Sequence, residues 1–299
     1  MDTIPLVQSL LEKYDLISSQ TIKAGEKIKK LVDSTENKCR FCDKVKQKKE
    51  FSNKAHLIPE FLGNKTLFAS FECNECNSYF GKIETELANF MLPYNSVVGT
   101  RGKKGPPHYK KSGEIEIFST ENRNISIQNY PKQLNLSDKQ FDIPVTHDYI
   151  PNHVYKTLVK IGVSILDEEH IKYVKHIISW LLNKEQSTIF TPLMLFTIYP
   201  FEFDQQCIRT VVLKKKNTPE NIPTYILSLS YKNFSFQTYL PEKSTHSNLK
   251  NYFPFPCYIP NELDTYINNV DEKKVNSLDL SSKERKKTKS TIQITNLDN

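Results

Sequence analysis

The chain has 299 residues, 38% hydrophobic and 25% charged, with only 8 Gly and a formal charge of +7. This composition belongs to a globular protein with at least one sizeable core, not to a fibrous or disordered chain, and the positive balance favours a polyanionic partner. No apolar run reaches the roughly 18 residues of a membrane span, and the start, with Asp2 and no apolar run behind it, argues against a signal peptide; a cytoplasmic protein with no membrane partner is expected.

In chain order, Val7, Leu10, Leu11 and Tyr14 recur at helical spacing, and a second helix is expected over 22–32, making 1–35 a helical lead-in. Residues 36–100 form a Cys-rich unit. RGKKGPPHYKKSG, 101–113, reads as a basic linker and marks a domain boundary. Beyond it, EIEIF and NISIQ alternate apolar and polar residues as two half-buried strands do, and could form a hairpin. Val154, Leu158, Ile161 and Ile165 indicate an amphipathic helix, and Ile171, Val174, Ile178 and Leu181 a second over 168–182. LMLFTIY, CIRTVVL, TYILSLSY and FSFQTYL then read as strands. Residues 114–269 are expected to be an α+β domain serving targeting or regulation. In 270–299 the apolar periodicity fades, and KERKKTK predicts a basic flexible tail.

Six cysteines in a chain of this kind are more often ligands or small core groups than disulfides. Cys207 and Cys257 stand alone in apolar or aromatic surroundings and read as core. Cys39, Cys42, Cys73 and Cys76 form two Cys-x-x-Cys pairs with residues 43–72 between them. Each two-residue spacer lets both sulfurs face one tetrahedral Zn²⁺, and four thiolates leave no position for water, so the zinc is expected to be structural. Chemistry must then come from neighbours that do not hold it.

Those neighbours carry a pattern. CRFC, then AHLIPEFLGN, then CNECNSYFGK resembles the zinc-clipped branch of the HNH endonucleases over about residues 36–90. The resemblance implies a ββα-metal unit, in which a β-hairpin carries the first histidine, a helix carries the last signature residue and one divalent ion lies between them. It implies His56 as the general base for a water attacking a DNA phosphodiester, and Asn77 at the last signature position as a ligand of the ion. The expected fold class is therefore α+β: a ββα-metal nuclease unit with structural zinc, joined to a C-terminal α+β domain.

The chemistry agrees. Phosphodiester hydrolysis needs a base for water and a cation to neutralise charge on phosphate, and neutral histidine suits the first task. Glu84 shares the helical face of Asn77 and is the favoured carboxylate for Mg²⁺ or Mn²⁺, with Glu60 the alternative. The pattern departs at Ala55, where many HNH sites place an acidic ligand, and at Phe68, where the middle asparagine is expected; Asn64 in the Gly-Asn turn is the nearest substitute.

Arg101, Lys103, Lys104, Lys110 and Lys111 are expected to grip phosphates of DNA, or of RNA, with a solvated linker as the bland alternative. A homo-oligomer or a regulatory partner through the C-terminal domain stays open. Nuclease activity joined to an unfamiliar domain resembles restriction and phage-defence effectors, by analogy. The reading from another class is a non-catalytic zinc module that binds nucleic acid; Asn77 as a helix cap and Asn64 as a turn residue would suit it.

Overall fold

The computed structural model describes residues 12–33, 37–110, 115–119, 124–130, 140–183, 192–199, 207–218, 222–241 and 275–295. The helix expected before residue 12, Lys111 and Cys257 lie outside them. Strands β1 (Tyr14–Lys23) and β2 (Lys29–Leu31) precede the Cys-rich unit, which holds β3 (Ala55–His56), β4 (Leu67–Ala69) and the long helix α1 (Asn74–Val98). There follow β5 (His108–Lys110), β6 (Glu116–Ser119), β7 (Ile125–Gln128) and β8 (Gln140–Tyr149), then helices α2 (Pro151–Ile165) and α3 (Glu168–Leu182). The chain continues through β9 (Leu193–Ile198), β10 (Cys207–Lys215), β11 (Tyr225–Tyr231) and β12 (Phe234–Tyr239), and through β13 (Val275–Asp279) and β14 (Lys286–Thr295). The mixture of helices and largely antiparallel sheets, with one parallel pair between β2 and β4, is α+β, as expected.

The largest sheet runs β1-β10-β11-β12-β9-β13, each strand antiparallel to its neighbour. Every residue of β11 and β12 is buried, which fits the near-continuous apolar and aromatic runs there. Helix α2 lies against this sheet: a Cβ at Gly162 would meet Leu240 Cδ2 at 3.1 Å, so glycine permits the close approach. On the other side of α2, α1 buries Phe80, Ile83, Leu87, Phe90, Met91 and Tyr94, a stripe of helical period. Ile143, Val145, His147 and Tyr149 of β8 alternate inward beneath it, and the His147 ring joins Phe90 O (2.8 Å) to Ser290 Oγ (2.6 Å).

Two expectations fail. The helix over 22–32 is absent: β1 and β2 occupy that stretch. Tyr14, Ser18 and Ile22 are the buried residues of β1, and a spacing of four is even, so it fits a strand face as well as a helix face. A bulge between Leu16 and Ser18 adds further irregularity to the alternation. The flexible tail is also wrong over 275–295, where β13 adds to β9 and β14 pairs with all of β8. Backbone bonds and Arg285, ion-paired with Glu86 (2.6 Å) and Asp148 (3.1 Å), hold a segment with little apolar content. The expected linker is partly sheet, with His108–Lys110 pairing to β6. The hairpin β6–β7, helices α2 and α3 and strands β9–β12 occur where expected.

Candidate active site

Four sulfurs define one end of the site. Cys39 Sγ lies 3.8 Å from Cys76 Sγ and Cys42 Sγ 3.9 Å from Cys73 Sγ, and all four fall within 4.8 Å of one another. A tetrahedron with Zn–S bonds of ~2.3 Å has edges of ~3.8 Å, so these thiols fit a structural zinc with every position filled by sulfur. Cys73 is the N-cap residue of α1, which seats the second pair on the start of that helix. The first pair lies in a tight turn closed by Asp43 N–H to Cys39 O (2.9 Å), with Asp43 in the left-handed region (φ 59). Between Cys39 and Cys42, Arg40 donates to the carbonyls of Val163, Ser164 and Leu166 at the end of α2 and ion-pairs with Asp33, so this cysteine turn is tied to the C-terminal half.

His56 ends the two-residue strand β3, paired with β4 so that His56 stands opposite Phe68. Their rings pack at 4.6 Å between centroids. Phe68, at the position where asparagine was expected, therefore supports the histidine ring. Asn64 does the positioning: fully buried, it donates to Ile58 O (2.7 Å) and Leu67 O (2.9 Å) and accepts from the amides of Thr66 (3.2 Å) and Leu67 (2.9 Å). One amide thus ties both ends of the loop joining β3 to β4, which turns through Gly63 (φ 101), a conformation that favours glycine. Asn64 touches the loop backbone, so its place is positioning and not proton transfer.

The His56 Nε2 lies 3.6 Å from Glu60 Oε2. Burial lowers the histidine's pKa and outweighs the opposing pull of Glu60; Lys160 adds to the lowering, while Glu84 and the Asn64 backbone oppose it. Asn77 sits half-buried on the first turn of α1, directly after Cys76. Glu84, two turns on, is not beside His56 as a free carboxylate: its Oε1 lies 3.1 Å from Lys160 Nζ.

Lys160, on α2, is the residue that sequence reasoning missed. Its ammonium is 1% exposed, donates to His56 O (2.8 Å), and lies 3.4 Å from the buried Glu72 carboxylate as well as close to Glu84. Burial raises Glu72 to about 7 against the opposing attraction of Lys160. Burial alone would lower the lysine's pKa, but the two carboxylates reverse that and keep it charged. A signal existed: Lys156 and Lys160 lie four apart inside a run whose other members are mostly apolar, which is where a helix buries cations with partners. Lys156 meets Leu181 O and Asn183 O at the end of α3.

Of the five basic residues expected to grip phosphates, Lys103 and Lys104 are exposed on the turn bridged by Gly102 and Gly105. A Cβ at Gly102 would lie 3.5 Å from Phe61 Cα, so this turn sits against the segment that carries Glu60. Arg101 is exposed; Lys110 is engaged by Glu116 at 3.0 Å, which lessens its availability.

With this geometry in view, residues 39–90 match the family model described as HNH endonuclease. This segment is similar to the HNH endonucleases. The match takes in the four cysteines, His56, Glu60, Asn64, Asn77 and Glu84, and stops before Lys160. No curated protein and no solved structure matches the chain. Among the described residues no helix is long and apolar enough to cross a membrane.

Proposed function

We propose that the HNH module hydrolyses phosphodiester bonds of DNA, with His56 taking the proton of the attacking water. The observation that carries this reading is the placement of His56: strand-fixed, backed by Phe68, and within 3.6 Å of Glu60 beside a closed sulfur site. An imidazole whose burial disfavours the charged form is free to accept a proton at neutral pH. Glu60 and Asn77 are the residues that would hold Mg²⁺ or Mn²⁺, and the ion would neutralise charge developing on the phosphate and leaving oxygen. The Lys160 ammonium already takes up the charge of Glu84, so Glu60 is the better carboxylate. Lys103 and Lys104 would hold the backbone of the nucleic acid without reading its sequence. Service in restriction or phage defence, in the cytoplasm, belongs to the same proposal.

A second reading, a zinc module that binds nucleic acid without cutting it, is favoured by Ala55, which offers no ligand, and by the Glu84–Lys160 pair. Supercoiled plasmid with Mg²⁺ or Mn²⁺ separates the two. Under the nuclease reading wild type converts it to open or linear forms, while His56→Ala binds the plasmid and leaves it intact. Binding without conversion by wild type under either metal decides for the second reading.

A further inference from the structure

A cavity of about 420 Å³ lies where the loop after His56, the end of α1 and the large sheet meet. Its volume falls within the roughly 300–1,000 Å³ of small-molecule sites. Lys23, Lys65, Arg101 and Lys232 line it, and no carboxylate does among the described residues. The end of α1 also faces it, but a helix C-terminus carries only about half an elementary negative charge, less than the combined charge of Lys23, Lys65 and Arg101. Lys232 stands in the two-residue turn between β11 and β12, whose geometry accounts for its positive φ of 53.

The backbone points the same way. Gly25 lines the cavity at φ 79 with nothing within 4 Å of where a Cβ would stand, so main chain is uncovered there, whereas Gly99 lies against the Ser119 side chain. Ile22, Val98 and Ile208 supply an apolar stretch of wall. A lining that combines cations with hydrocarbon matches a ligand that carries both a phosphate and a ring. We propose that this cavity binds a phosphate-bearing small molecule of nucleotide size. Its seat includes Gly63 and Lys65, the two neighbours of Asn64, so an occupant braces the loop that places His56. The binding claim stands independently of the nuclease reading.

The test is calorimetric titration of the full-length zinc-loaded protein with ATP, without added divalent cation, together with hydrogen exchange over residues 60–67. ATP is expected to bind and to slow exchange in that loop. Arg101→Ala and Lys65→Ala, both at exposed positions, should each weaken binding about tenfold or more, whereas His56→Ala should bind as wild type does. No detectable binding at about 1 mM ATP overturns the proposal. So does binding that His56→Ala abolishes and the cavity variants leave unchanged, since ATP would then be occupying the nuclease site. If the cavity variants weaken only the affinity for duplex DNA, with no ATP competition, the cavity is part of a DNA-facing surface and the proposal fails.

Discussion

The Lys160 ammonium donates to the backbone carbonyl of His56 at 2.8 Å, from a helix beyond the matched HNH segment. The same ammonium holds Glu72, next to Cys73 of the sulfur cluster, and Glu84, on α1. One buried cation therefore joins β3, the sulfur site and α1. Lys160→Met keeps much of the side-chain bulk but leaves two carboxylates without their partner. A loss of about 3–5 kcal/mol in denaturant unfolding is expected. Adding Glu72→Gln and Glu84→Gln to that variant should recover part of the loss, because no buried charge then remains unpaired. A Lys160→Met protein as stable as wild type would show that the cluster holds nothing together.

Asn64 is the second element on which His56 depends. Asn64→Ala removes two donors and one doubly used acceptor from a fully buried position, stranding Ile58 O and the Leu67 amide. A destabilisation of about 2–3 kcal/mol is expected, together with faster hydrogen exchange across residues 57–67 and zinc content unchanged. Unaltered exchange in that loop would mean that the Gly63 turn and the β3–β4 pairing suffice without the side chain.

Much of this arrangement was legible in the sequence. The Cys-x-x-Cys pairs announced the sulfur site because its spacing is local, and α2, α3 and β9–β12 were legible because each has one strong periodicity. What failed was decided by tertiary contact. β1 exists because β10 pairs with it, and β14 because β8 does; neither needs a distinctive apolar pattern of its own. Phe68 looked like a departure from the signature and is the ring beneath His56. Lys160 lies 104 residues from the carbonyl it caps, a relation that no local spacing encodes.

Zinc and the C-terminal half should be coupled through Arg40. The protein is expected to carry about one zinc per chain, and Cys73→Ser to lose it. With the zinc turn loosened, the guanidinium would no longer be held against Val163 O, Ser164 O and Leu166 O. Exchange at the last turn of α2 should therefore accelerate along with that of residues 37–45. Loss of zinc with α2 exchange unchanged would restrict the metal's influence to its own turn.

The pH dependence of stability gives a test away from the metal sites. His153, on the first turn of α2, has its pKa lowered from 6.5, chiefly by burial; Glu86 opposes this, while Lys156 and Arg285 reinforce it. Protonation is thus harder in the folded protein than in the unfolded chain. As pH falls below 6.5 the unfolded chain takes up the proton first, and the fold loses stability down to the folded-state value. His56 contributes in the same direction and Glu72, raised to about 7, in the opposite one, so the wild-type slope contains all three. His153→Gln should remove its own share: between about pH 7.5 and about pH 5.5, the variant's unfolding midpoint should fall less than that of wild type. An equal fall in both proteins would mean that His153 is protonated as easily folded as unfolded, and that the burial around it does not exclude the charge.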